Sequence, residues 1–118
     1  EIGPLEAQFE DGRAAAAQIL DAGARAVFAF DDLMAAGVIA GLSDLGEQVP
    51  THRSVIGCDD VLLARTLTPA LTAVSAPFEE LGSAAVELLG EVIAGRTARA
   101  VSLPGTVALR GTVGPTSR

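Results

Sequence analysis

An apolar strand ending in two adjacent aspartates occurs twice in this chain. Val27-Phe28-Ala29-Phe30 leads into Asp31-Asp32, and Val55-Ile56-Gly57-Cys58 leads into Asp59-Asp60. A helical stretch separates the two. Strand, helix and strand in that order make a right-handed βαβ unit, whose parallel strands end at a common carboxyl edge. Open α/β sheets bind ligands at that edge. The strands are too uniformly apolar for a half-exposed sheet, so a sheet covered on both faces is expected. Four carboxylates on one edge would suit a hydroxyl-rich or cationic small molecule.

The segments around this unit fall into the same pattern. Residues 11–22 read as a helix, with Ala14 to Ala17 supplying propensity and Gly23 a stop. Residues 25–30 form the first strand, and Asp31 or Asp32 caps a helix that Gly46 ends. Small residues along that helix (Ala35, Ala36, Gly37, Ala40, Gly41) allow close approach to a sheet or another helix. A second strand covers 53–58, a short helix 61–66, and a third strand 71–75. Pro77 opens an amphipathic helix closed by Gly95, with Phe78, Leu81, Ala85, Leu88 and Val92 on one stripe. That spacing predicts a core-facing helix. Residues 101–113 read as one or two strands around Pro104-Gly105.

Composition narrows the function. The 118 residues make one domain at most, 49% hydrophobic, with a net charge of −7. Acidity repels phosphate backbones, so this segment is not expected to grip nucleic acid itself. All eight basic residues are arginine and they are scattered. The lone Cys58 permits no intrachain disulfide, fits a reducing compartment, and reads as a small buried hydrophobe. No signal peptide or membrane-length apolar run is visible, and Glu1 is expected to be an internal start.

Chemical motifs are sparse. The sequence has no Gly-x-Ser-x-Gly elbow, no Walker lysine motif and no Gly-x-Gly-x-x-Gly after a strand. His52 lies in a loop beside Pro50 and reads as solvated. A receiver domain would need a lysine at a later strand end, and the chain has none. No catalytic residue, cofactor or metal site is expected. One aspartate of each pair is accounted for as a helix cap, but two pairs on one edge point to a pocket for paired hydroxyls.

Taken in order, the segments resemble the effector-binding domain of LacI/GalR-type transcriptional repressors. Residues 26–37 (Ala-Val-Phe-Ala-Phe-Asp-Asp-Leu-Met-Ala-Ala-Gly) are similar to the family's strand, Asn-Asp and Met-Ala-x-Gly helix. Gly46 with Val49-Pro50, Val55-Ile-Gly-Cys-Asp-Asp60 and Pro69-Ala-Leu-Thr-Ala-Val74 follow at family spacings. Leu81-Gly82, Leu103-Pro104 and Arg110-Gly-Thr112 resemble the closing elements. The resemblance implies a three-layer αβα fold with a mostly parallel sheet, the C-terminal lobe of a periplasmic-binding-protein-like type I domain. It makes residues 1–118 part of an effector-binding domain. Residues 77–94 would be a crossover helix that packs on a missing N-terminal lobe, and the DNA-binding domain would lie outside the chain.

By position, the resemblance implies that Asp31 and Asp59 contact the effector, with Phe30 lining the cleft or the core. Ala76 stands where a polar contact is common, and Cys58 replaces the usual aromatic. Ala36, Leu63 and Leu67 fall on the family's dimer surface. The implied partners are a small-molecule effector (a carbohydrate first), a second copy as homodimer, and operator DNA through a separate domain. A fragment of this extent is expected to exchange helix 77–94 between copies or bury it in an oligomer. The implied location is the cytoplasm. A periplasmic sugar-binding protein of a transport system is the alternative on the same fold.

Overall fold

The computed structural model describes residues 1–115. Its elements run α1 (Phe9–Asp21), β1 (Ala26–Phe28), α2 (Asp32–Asp44), β2 (Ser54–Cys58), α3 (Leu62–Thr66), β3 (Thr72–Ser75), α4 (Phe78–Ile93) and β4 (Thr106–Ala108). The strands form one sheet in the order β1-β2-β3-β4. β1 pairs in parallel with β2, placing Ala26 opposite Ser54, and β2 pairs in parallel with β3, placing Ile56 opposite Thr72. The expected α/β architecture with a mostly parallel sheet is what forms.

Two compact units divide the described residues, 1–75 with 107–115, and 76–106. The core lies in the first. It is built from small side chains, among them Ala15, Ala16, Ala35 and Val38, around the fully buried Leu42, Val55 and Leu71. A core so poor in aromatics fills its volume only if backbones approach closely. Glycine makes this possible where α1 crosses α2. A Cβ on Gly37 would collide with the Phe9 carbonyl oxygen, and one on Gly41 with the Arg13 carbonyl oxygen. The small residues of α2 therefore serve helix-on-helix packing.

Several expectations need correction. α1 begins two residues earlier than expected, after Gln8. β1 is only three residues long and lies at the sheet edge, with Ala26 and Phe28 exposed and Val27 partly buried. The first strand is thus not covered on both faces, because hydrophobicity alone does not reveal an edge position. Pro77 precedes α4 rather than opening it. No residue of α4 is buried, and Phe78, Leu81 and Val92 of its stripe are exposed. The core-facing role read from its periodicity is not realised in the second unit.

One strand, β4, forms in the tail. The residues after it stitch the sheet instead. Val55 N–H donates to the Thr112 carbonyl at 2.9 Å, and Gly111 N–H donates to Ala70 at 2.9 Å. The Thr112 hydroxyl donates to the Val55 carbonyl at 2.7 Å and accepts from Thr72 N–H at 2.9 Å. Two of these four bonds are backbone–backbone and two use the Thr112 hydroxyl, and no strand is formed at 111–112. Thr112 is fully buried. Replacing it with the isosteric valine leaves a buried donor and a buried acceptor unmet, an expected loss of about 2–4 kcal/mol. Urea denaturation checks this, with a lowered midpoint at unchanged slope.

Candidate functional site

The parallel strands β1, β2 and β3 end at one edge, which brings together Ala29 to Asp31 after β1, Asp59 to Val61 after β2, and the end of β3 at Ser75. The corners after β1 and β2 are joined there. Asp32 Oδ2 accepts the Val61 N–H at 2.7 Å, a bond across 29 positions of chain. Asp59 N–H donates to the Val74 carbonyl at 2.8 Å, tying the end of β2 to the end of β3.

Each aspartate has a different assignment. Asp31 is the N-cap of α2, and its Oδ1 accepts the Met34 N–H at 2.7 Å. Asp32 is 1% exposed, and its Oδ1 has no hydrogen-bond partner. Burial pushes its carboxyl above the usual range; the Val61 N–H opposes this, and the charges of Asp59, Asp60 and Asp31 add to it. Asp60 faces two guanidinium groups, Arg110 at 2.6 Å and Arg65 at 3.2 Å, with its side chain 6% exposed. Burial alone would raise its pKa, but hydrogen bonds and attraction from Arg110 and Arg65 outweigh that and hold it below the ordinary value. Asp59 is partly exposed and adjoins Cys58, whose thiol is pushed up by burial and then by the Asp59 charge.

Asp59 and Asp60 both adopt the left-handed backbone region, at φ 95° and 56°. Neither is glycine, so each costs on the order of 1–3 kcal/mol unless its surroundings fix it. Three ties do so: the Val74 carbonyl, the Asp32 carboxylate and the arginine pair on Asp60.

Asp32 and Asp60 are thus bonded deep into the corner, whereas Asp31, which caps α2, and Asp59 are only partly buried. A carboxylate has about four acceptor sites. Asp31 gives one of these to the Met34 amide, and Asp59 lies within hydrogen-bonding reach of the Cys58 thiol. Phe30, immediately before Asp31, is 74% exposed and is not core. Ala76 begins the second compact unit and carries no side-chain hydrogen-bonding group. An apolar trough of about 820 Å³ lies in the first unit along β1. It is bordered by Phe28, Phe30, Met34 and Ile19 but by none of the four aspartates.

Other sequence expectations fare variously. His52 is not simply solvated: its Nδ1 accepts the Gln48 N–H at 3.2 Å and lies 3.5 Å from Glu47. Ala36 is 5% exposed, already covered within the chain, whereas Leu63 and Leu67 are half-buried and their neighbour Leu62 is 76% exposed. Cys58 is only partly buried. Sequence reasoning missed Arg110 as the partner of Asp60. The Arg-Gly-Thr motif was visible, but nothing in it showed which acid fifty positions away the arginine would meet. Among the described residues, no group of three or more His, Cys, Asp or Glu is arranged to hold a metal ion. No helix there is long and apolar enough to cross a membrane.

Comparison with known proteins places these features in company. Residues 3–113 match the periplasmic binding protein-like domain family. The HTH-type transcriptional regulator GalS of Salmonella typhimurium is 38% identical over 96 residues, covering 80% of this chain and 28% of GalS. The HTH-type transcriptional repressor PurR of Pectobacterium atrosepticum is 46% identical over 82 residues, covering 68% of this chain and 24% of PurR. This chain thus spans about a quarter of the length of those relatives. Among solved structures, a LacI family transcriptional regulator from Arthrobacter sp. FB24 in complex with lactose superposes at a TM-score of 0.78 and 35% identity. The match covers 92% of this chain and 43% of that one. A LacI family regulator from Enterococcus faecalis V583 with bound ribose reaches 0.86 at 28% identity, covering 95% and 43%.

Proposed function

Because this chain belongs to the periplasmic binding protein-like domain family, in the form carried by LacI/GalR-type regulators, we propose that it is the effector-sensing part of a longer transcriptional regulator. Residues 1–75 with 107–115 act as the C-terminal lobe of that domain, and the segment from Ala76 to Thr106 as its crossover. The effector is a small polyol, a sugar first. Asp31 and Asp59 accept its hydroxyls from adjacent strand ends, and Phe30 offers a ring face beside them. Bound effector shifts the balance between two arrangements of the whole regulator and so changes its affinity for operator DNA through a separate domain.

The observation that carries this reading is the division of labour at the strand ends. Asp32 and Asp60 are bonded deep into the corner, while Asp31, beyond its cap bond, and Asp59 are the less buried acids on the same edge. The lactose and ribose complexes of structural relatives support a carbohydrate. Alanine at position 76 and cysteine at 58 leave fewer polar and aromatic contacts than the family pattern, which favours a sugar of different shape from those recognised by that pattern. The transport-protein alternative loses ground, since the relatives are transcriptional regulators. Homodimerisation is proposed through the surface of α3, where Leu62 is exposed beside Leu63 and Leu67; Ala36 contributes little.

Calorimetry of the intact regulator that carries this segment, titrated with a panel of mono- and disaccharides, tests the site. Replacing Asp59 with alanine is expected to weaken the bound sugar by about tenfold or more, the scale of a charged hydrogen bond. Unchanged affinity in that variant would remove Asp59 from the site.

A further inference from the structure

Asp32 makes no contact that a ligand at the strand ends would need, yet its burial and its bonding set it apart from an ordinary helix-start aspartate. It is the first residue of α2, and the capping task is already taken by Asp31. Its side chain turns inward instead. On one side it abuts β2, where a Cβ on Gly57 would collide with Oδ1. On the other, Oδ2 takes the Val61 N–H at 2.7 Å. The carboxylate is thus wedged between the strand that carries Asp59 and the turn that follows it.

That turn is costly by itself. Asp59 and Asp60 stand consecutively at positive φ, and such conformations persist only where neighbouring groups over-determine them. Arg110 and Arg65 secure Asp60, and the Val74 carbonyl secures the Asp59 amide. The Asp32–Val61 bond closes the turn from its far end. It also joins the β1–α2 corner, which holds Asp31, to the β2–α3 corner, which holds Asp59.

We infer that Asp32 is a positioning residue of the effector site: through the Val61 amide it fixes the left-handed turn that presents Asp59, and keeps Asp59 in register with Asp31. This rests on the reading of Asp31 and Asp59 as effector contacts. The groups facing Asp32 are Asp31, Asp59 and Asp60, all acidic. Arg110 and Arg65 are turned to Asp60. The acceptor geometry of Oδ2, more than its charge, is therefore what the turn needs, and an amide oxygen can supply it.

The test is a double-mutant cycle on the intact regulator with the best-bound sugar of the panel. Asp59→Ala is expected to lower affinity about tenfold or more, and Asp32→Ala about fivefold or more, on the scale of charged hydrogen bonds. Asp32→Asn should stay within about twofold of wild type, and the Asp32→Ala/Asp59→Ala pair within about twofold of Asp59→Ala alone, because both changes act on one contact. Hydrogen exchange at the Val61 amide gives an independent readout. It should be slow in wild type and Asp32→Asn and fast in Asp32→Ala; if Asp32→Ala fails to fold, Asp32→Asn carries the decision. Full affinity in Asp32→Ala, additive losses in the double variant, or lost affinity in Asp32→Asn with Val61 still protected would each overturn the assignment. Unchanged affinity in Asp59→Ala would instead overturn the effector site on which it rests.

Discussion

Alanine at Gly37 is expected to destabilise the protein by about 3–5 kcal/mol, the upper range for a single overpacked site. In an exposed helix the same change gains up to about 1 kcal/mol, since alanine has the higher helix propensity. The sign reverses here because the added methyl has nowhere to go. It would meet the Phe9 carbonyl oxygen at collision distance and the Arg13 amide nitrogen at 2.9 Å. Both are backbone atoms of α1, so no rotamer change relieves the clash and α1 itself must move. Since α1 and α2 enclose Ala15, Ala16, Ile19, Ala35 and Val38, that movement opens the core. Against a typical total of about 5–15 kcal/mol, the variant is near its limit. Thermal unfolding should show a large drop. Gly82→Ala provides the control: a Cβ there meets nothing within 4 Å, and a small gain or no change is expected. A Gly37→Ala protein as stable as wild type would refute the close α1–α2 contact.

The second large effect belongs to Arg110. Its guanidinium holds Asp60 at 2.6 Å and donates to the Leu71 carbonyl at 2.7 Å. Arg110→Met keeps most of the stem but leaves a nearly buried carboxylate with only the more exposed Arg65. The expected cost at neutral pH is about 3–5 kcal/mol, as for other buried pairs broken on one side. The pH profile separates this from a loss of packing. In wild type Asp60 titrates below its unfolded value, so its contribution is present above about pH 3.9 and lost as the pH falls through the lower folded value. Without Arg110, burial is opposed by Arg65 alone, so that pKa rises relative to wild type. The variant's deficit should then shrink as the pH falls through the carboxylate range, while wild type does not gain from this group. Asp32 works the other way in wild type. Its folded pKa is raised, so its favourable contribution is complete below about pH 3.9 and disappears as the pH rises through the folded value. A deficit in Arg110→Met that stays constant while the carboxylates titrate would point to packing alone.

Much of this architecture was legible from residue patterns. Asp31 announced itself as a cap, and it bonds the Met34 amide as such. Gly46 and Gly95 marked helix ends and take φ values of 81° and 74°, which glycine adopts without strain. The doublet repeat predicted parallel strands with acids at a shared edge, and β1, β2 and β3 have that arrangement. These features are local, or follow from the handedness of βαβ connections, and so can be read without coordinates.

Four aspartates alike in sequence, by contrast, acquired four different environments, and only the fold assigned them. Whether an aspartate meets Arg110, the Val61 amide or open solvent depends on residues roughly thirty to fifty positions away, and sequence periodicity carries no information about such pairings. The same limit explains β1 and α4. An apolar run reports that a segment favours burial, but not whether anything covers it: Phe28 is 65% exposed and α4 buries no residue. The order of elements, the caps and the common strand edge are determined by the amino-acid sequence through local propensity and chain handedness. The burial and partners of each acid were decided by tertiary contacts, because burial and long-range hydrogen bonds alone distinguish one carboxylate from the next.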